Sequence, residues 1–268
     1  MSYSPENASQ TIAPWELGSW ILEQYATVEE VIENIKEIVV ADVILLDQMG
    51  FTPPLHCVVH DARGNSIAIE YVNGKLNVHH NPLGVFVNSP TFDWHMTNLR
   101  NYINFSVNNL PPLILCESTT KTGADKAVQL LPFGQGTGML GMPGDLTPPS
   151  RFVRAVAFSQ SILPALLQTG NDAVVQAFHI LNNFDIPKGM ARESHDGNIE
   201  ADYTIWTSAN DLKEKRFYFR TYKNSQIRVV NLMDMDLEAG YMSKIPMDRE
   251  GEHEEFETVT PILVGQPR

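Results

Sequence analysis

PLHCVVHDARGNSIAIEYVNGKLNVHHNPLGVFVNSP, Pro54 to Pro90, is the stretch whose reading decides the fold. Apolar and polar residues alternate through its first three runs, the period of strands with one face turned inward. Turn residues at Asp61–Asn65 and at Asn73-Gly74 separate those runs. Asn-Gly between alternating segments is the strongest short hairpin signal, because a type I′ turn needs positive φ at both central positions. LGVFV reads as a fourth strand that stops at Asn88, Ser89 and Pro90. The stretch is an antiparallel meander.

Helical periods lie on either side. APWELGSWILEQY places Trp15, Leu17, Trp20, Ile21 and Leu22 mostly on one face, with Pro14 in the first turn, where proline is tolerated. TVEE supplies an N-cap at Thr27 and Glu30 three residues on, a capping box for a helix carrying Val28, Val31, Ile32, Ile35 and Ile38. DWHMTNLRNYI reads as a short helix, followed by a loop region through FGQGTGMLGMPGDLTPPS. SRFVRAVAFSQSILPALLQ should start a helix near Ser150 that Pro164 bends or interrupts, and NDAVVQAFHILNNF another. Strands return in ADYTIWTSANDLKEKRFYFRTYKNSQIRVVNL, with turns at Asn210-Asp211 and Asn224-Ser225, and DREGEHEEFE reads as a solvated loop or terminal helix. Helices packed on antiparallel hairpins, with no repeat and no linker, predict an α+β fold in one domain, residues 1–268.

With a net charge of −13, the chain lacks the basic surface that nucleic acid or an anionic membrane demands. No apolar run approaches the about 20 residues of a membrane span, and MSYSPENASQ has no leader pattern. The compartment stays open. Cys57 and Cys116 form neither a CxxC motif nor a disulfide framework.

Three constellations carry chemistry. His56 and His60 share one face of a strand, with Cys57 on the other, and a zinc site would recruit His79 and His80. Exposed histidines on alternating strands explain the pattern equally, so no metal is expected. GQGTGMLGMPGD has four glycines in nine residues but no Gly-Lys-Ser/Thr, which favours a demanding loop near a site over a phosphate cradle. Asn88 fits a turn or helix cap, or a carboxamide aimed at a developing oxyanion. Arg151 and Arg154 fit surface charges at a helix start; the macrodipole disfavours cations there, which hints at another use for one of them.

NPLGVFVNSPTFDWHMTNLRNY followed by PFGQGTGMLGMPGDLTPPSRFVRA resembles the choloylglycine hydrolase family, which includes bile salt hydrolases and penicillin V acylases. PPLHCVVHDARGNSIAIEY and WELGSWILEQYATVEEV are similar to family segments too, so the resemblance covers nearly the whole chain. It implies the αββα sandwich of N-terminal-nucleophile hydrolases. It also implies hydrolysis of a linear amide by an N-terminal cysteine whose own α-amine is the base. Asn88 would help form the oxyanion hole, and Arg151 would stabilise charge near the thiolate.

The family's cysteine, with an arginine and an aspartate close to it, precedes the WELGSWIL helix, and a further oxyanion-hole residue lies just before that helix. MSYSPENASQTIAPWELG offers no counterpart to any of them. The resemblance therefore implies a sandwich incomplete at its N-terminal strands, inactive as an isolated chain, and prone to aggregate or oligomerise through an open edge. Three explanations stand beside one another: a hydrolase whose first portion is not in this sequence, a non-catalytic ligand-binding member, and a member that depends on a partner chain. The implied substrate is a small amphipathic amide, namely penicillin V, a conjugated bile acid or an acyl-homoserine lactone. No cofactor, nucleic acid or membrane is expected, and the full-length family form should be a homo-oligomer.

Overall fold

The computed structural model describes residues 11–44, 52–116, 127–195, 197–238 and 244–248. They gather into two compact units, Met1–Pro164 and Ala165–Arg268.

In the first unit β1 (Thr11–Ile12) pairs in parallel with β2 (Val39–Val40), and α1 (Leu17–Gln24) and α2 (Val28–Asn34) lie between them in sequence. A 3-10 turn at Pro14–Glu16 leads into α1. Leu17 and Ile21 are buried, but Trp15 and Leu22 are exposed, so the apolar face of α1 is narrower than the pattern suggested. The capping box of α2 forms as expected: Thr27 Oγ1 accepts from the Glu30 N–H, and the Glu30 carboxylate accepts from the Thr27 N–H. Val28, Val31, Ile35 and Ile38 are buried, while Ile32 is exposed.

The meander consists of β3 (Cys57–His60), β4 (Ser66–Val72) and β5 (Lys75–His80), antiparallel and adjacent in that order. Asn73 and Gly74 have φ of 51° and 73°, as a type I′ hairpin requires. Asp61 accepts from the N–H groups of Arg63 and Asn65 within the preceding turn, and from the Val28 N–H, which ties α2 to the sheet. The register aligns Cys57, Ile69 and Val78 on one face, and Val58, Ala68 and His79 on the other. Ile67, Ile69 and Tyr71, with Cys57, Val59, Leu76 and Val78 beside them, pack against α1 and α2. Ala68 belongs to a second cluster with Val85, Phe92 and Phe152. Because both faces are covered, β4 is buried from Ser66 to Tyr71.

The expected fourth strand does not form. Leu83–Val87 pairs with no strand among the described residues. After the Asn81 N–H bonds to Ser66 O, the chain turns away, with the Gly84 N–H on Asn81 O and Asn81 Nδ2 on Val85 O. Val85 is nonetheless buried, so LGVFV is core by packing and not by pairing. α3 (Phe92–Asn98) follows, extended by a 3-10 turn at Leu99–Tyr102. The stretch read as loop contains a hairpin, β6 (Leu113–Cys116) with β7 (Ala127–Leu130); its LILC run is continuously apolar and gave no alternation to read. α4 (Pro148–Gln160) ends before Pro164, which opens a separate 3-10 turn instead of kinking a longer helix.

In the second unit α5 (Gly170–Leu181) starts with its own capping box, Thr169 with Asp172. An unanticipated hairpin pairs β8 (Ala191–His195) with β9 (Asn198–Asp202), although Asp196-Gly197 is a hairpin dipeptide in the sequence. β10 (Trp206–Asp211), β11 (Arg216–Thr221) and β12 (Arg228–Asn231) form an antiparallel sheet. Its first turn lies beyond Asp211, whose carboxylate accepts from the N–H groups of Lys213 and Glu214. Phe178, Tyr218 and Phe219 are buried here. DREGEHEEFE lies, from residue 249 on, outside the described residues, as does MSYSPENASQ. The class is α+β, and no helix among the described residues is long and apolar enough to cross a membrane.

Candidate active site

Asn88 and Arg151 are 63 residues apart, and the fold brings their side chains into contact: Arg151 Nη2 donates to Asn88 Oδ1 at 2.7 Å. A guanidinium can only donate, so the oxygen of the carboxamide must face it and the Nδ2 amide must face away. That bond sets the orientation of Asn88 and leaves its two N–H donors outward on an exposed residue. Asn88 is not a helix cap. The N-cap of α3 is Thr91, and the bond on Asn88 from α3 goes to its backbone, where His95 Nε2 lies 2.9 Å from Asn88 O.

Arg151 closes the first turn of α4, its N–H donating to Thr147 O at 2.9 Å. Its Nε donates to Leu146 O at 3.1 Å, so the guanidinium is held between its own loop and Asn88. Burial, and then the charge of Arg154, push its pKa below the ordinary value. Arg154 does a different job. It is 7% exposed and donates to the carbonyls of Pro143 and Asp145, bracing the loop that leads into the helix. Asp145 completes that brace: it accepts from Ser150 Oγ at 2.6 Å and from Thr147 N at 2.9 Å. The Ser150 and Thr147 hydroxyls, then the Thr147 N–H, hold its carboxyl well below the usual range, at about 2. Asp145 and its two hydroxyl partners escaped the sequence reading, although PGDLTPPS holds a carboxylate just ahead of a helix start, where one is favoured.

The other constellations do not assemble as first read. His56 precedes β3 and sets its ring edge-on to Phe86, 4.6 Å between centroids. Burial lowers the pKa of both His56 and His60. Cys57 is on the opposite face, among the α1–α2 core, and burial pushes its thiol up, away from the thiolate a nucleophile needs. The group of described residues whose donor atoms come within 4.8 Å of one another is instead Glu70, His79 and Asp93. Its Glu70 Oε2 already accepts from the Phe92 N–H at 3.0 Å, with His79 Nε2 3.9 Å away. In the glycine-rich loop, a Cβ on Gly138 would run into the carbonyl oxygens of Asn108 and Ser106. Glycine is needed there for close backbone approach.

A carboxamide whose oxygen is held by a guanidinium keeps its N–H groups free to donate to a negative charge, permanent or developing. Residues 1–248 match the family model for linear amide C–N hydrolases of the choloylglycine hydrolase family. The chain belongs to the choloylglycine hydrolase family. It is 35% identical over 242 residues to the bile salt hydrolase/transferase of Clostridium perfringens, covering 89% of this chain and 68% of that protein. The crystal structure of a cysteine-to-alanine variant of the conjugated bile acid hydrolase from Clostridium perfringens superimposes with a TM-score of 0.78 at 31% identity. That likeness covers 97% of this chain and 74% of the solved one. Penicillin V acylase from Agrobacterium tumefaciens shares the fold, with a TM-score of 0.65 at 21% identity, over 89% of this chain and 63% of that one. These family members are N-terminal-nucleophile hydrolases, and the α+β fold described above is theirs.

Proposed function

We propose that Asn88 and Arg151 form the charge-binding side of a site that hydrolyses the amide of an amphipathic acyl conjugate, with conjugated bile acids ahead of penicillin V and acyl-homoserine lactones. The hydrogen bond between the two residues carries the reading, because it turns the Asn88 amide outward as a donor. In that chemistry a cysteine thiolate attacks the amide carbonyl, and the oxygen gains a negative charge that Asn88 Nδ2–H stabilises. Collapse expels the amine, which takes the proton the thiol gave up, and water then cleaves the thioester. Arg151 supports the thiolate and the oxyanion as a fixed positive charge. The order of substrates follows the relative from Clostridium perfringens, named for bile salts.

Neither Cys57 nor Cys116 carries thiol and α-amine on one residue. Turnover on this reading draws its nucleophile from sequence beyond these 268 residues or from another chain. Residues 1–268 are proposed to act as one family domain and to assemble as a homo-oligomer.

Two measurements test this. The chain as it stands should cleave glycocholate, penicillin V and an acyl-homoserine lactone no faster than background. Joined behind a family segment that begins with cysteine, it should cleave at least one of them. In that form Asn88→Ala should lower kcat by about a hundred- to a thousandfold with KM nearly unchanged. Activity of the unjoined chain that Cys57→Ala abolishes would overturn the nucleophile assignment, and full kcat in Asn88→Ala would overturn the oxyanion role.

A further inference from the structure

The segment from Asn81 to Phe92 carries Asn88 without the help of a sheet ladder. Its polar backbone groups are held by three buried side chains. Asn81 Nδ2 donates to Val85 O at 3.2 Å, His95 Nε2 lies 2.9 Å from Asn88 O, and the Phe92 N–H donates to Glu70 Oε2 at 3.0 Å. Asn81, His95 and Glu70 are 2%, 1% and 0% exposed. Of the three, His95 is the one that touches Asn88 itself.

A carbonyl can only accept, so the His95 proton on this bond belongs to Nε2 and the neutral ring leaves Nδ1 bare. Among the described residues the buried Nδ1 has no hydrogen-bond partner, which fits a nitrogen without a proton to donate. The same ring stacks on Phe152, 4.9 Å between centroids and 19° between planes. Phe152 is fully buried and follows Arg151 directly in α4. One imidazole thus meets the backbone of Asn88 on one side and the helix that carries Arg151 on the other. A hydrogen bond of 2.7 Å is lost once its ends move apart by about 1 Å. The length of the Asn88–Arg151 bond depends on whatever sets the distance between that loop and that helix.

We infer that His95 is a positioning residue: its Nε2–H bond to Asn88 O and its stack on Phe152 fix Asn88 against Arg151 and so set the direction of the outward amide. The inference rests on the reading of Asn88 and Arg151 as the charge-binding pair. A variant that keeps the ring on Phe152 and lacks the donor removes only the bond that orients Asn88, so its effect is read in the position of that side chain.

The test uses the full 268-residue chain and NMR, with no turnover required. In the wild type, the histidine ¹⁵N spectrum should show His95 protonated at Nε2 and bare at Nδ1. A bare Nε2 overturns the inference outright. With ¹⁵N-asparagine labelling, the Asn88 side-chain amide pair, assigned through Asn88→Ala, should differ from that of free asparagine. It should move to the free position in Arg151→Ala. His95→Phe keeps a ring on Phe152 and removes the donor, so it should also shift the Asn88 pair to the free position. His95→Gln restores a donor at the same reach and should return it. An Asn88 pair unchanged in His95→Phe overturns the inference. Should His95→Phe fail to fold, His95→Gln and the wild-type tautomer decide it: a free-asparagine signal in His95→Gln overturns it and a wild-type signal supports it. Failure here with full loss of kcat in Asn88→Ala would leave the oxyanion role intact, and the reverse outcome would leave the clamp intact.

Discussion

Arg151 and Arg154 are three residues apart on one helix, and their surroundings assign them opposite duties. Arg154→Ala strips two charge-assisted bonds from the carbonyls of Pro143 and Asp145 at a buried position. We expect it to cost about 2–4 kcal/mol in chemical denaturation. Arg151→Ala should cost much less there and be felt in turnover of the form joined to a cysteine-bearing segment, and equal losses of stability would refute the division. Asp145 gives a pH signature. Its folded pKa of about 2 lies below the ordinary 3.8, so its contribution to stability is complete above about pH 4. That contribution is lost as pH falls from there through 2. Asp145→Asn should flatten the acid limb of the stability curve in that window, and an unchanged limb would show that its hydroxyl partners do not stabilise the anion. Asn88 and Arg151 were legible only because their motifs resemble a family. Nothing in spacing alone separates Arg151 from Arg154, since burial is a property of the assembled loop.

At the scale of elements, the runs whose local chemistry was unambiguous were read correctly. Asn73-Gly74, with its positive φ, and the Thr27–Glu30 capping box each dictate a conformation that no tertiary contact needs to impose. LGVFV was misread because a short apolar run satisfies a strand and a packed loop equally, and what decides is a partner strand that sequence does not display. The β6–β7 and β8–β9 hairpins were missed for related reasons: one lacks alternation, and the other has few apolar residues and is exposed along its length in β9. The glycine-rich loop is the clearest case of a physical role hidden behind a motif. Gly138 lies against the backbone of Ser106 and Asn108, and its own carbonyl accepts from the Ser106 N–H at 3.0 Å. Gly138→Ala should therefore destabilise by about 1–3 kcal/mol, as overpacking does, and shift the thermal midpoint accordingly. Gly134→Ala, by contrast, meets no atom and bears only the strain of its φ of 67°. A silent Gly138→Ala would show that the loop opens freely.

For the molecule as a whole, composition spoke against nucleic acid and anionic membrane and the family motifs named the fold, but neither revealed the bare hairpin. Leu113, Ile114, Leu115, Val128 and Leu130 are all exposed, and Phe133 just beyond is 100% exposed. By the register, Leu113, Leu115, Val128 and Leu130 share one face of the hairpin, and an exposed apolar face of this kind favours association. Sedimentation should show self-association of the chain that weakens in Leu115→Lys combined with Val128→Lys, and a wild type that stays monomeric at every concentration would remove the hairpin as its cause. A last consequence follows from the covered sheet. β4 turns Ile67, Ile69 and Tyr71 toward α1 and α2, and Ala68 and Glu70 toward the side that carries the Asn88 loop. One strand thus separates two selective regimes. Residues on the first side are free to drift among apolar types of like volume with no trace in the chemistry, while the second side answers to geometry. A lineage can shed its catalytic trade through the second face and still inherit a sound scaffold through the first, and a mutational scan of β4 should record that as tolerance alternating residue by residue.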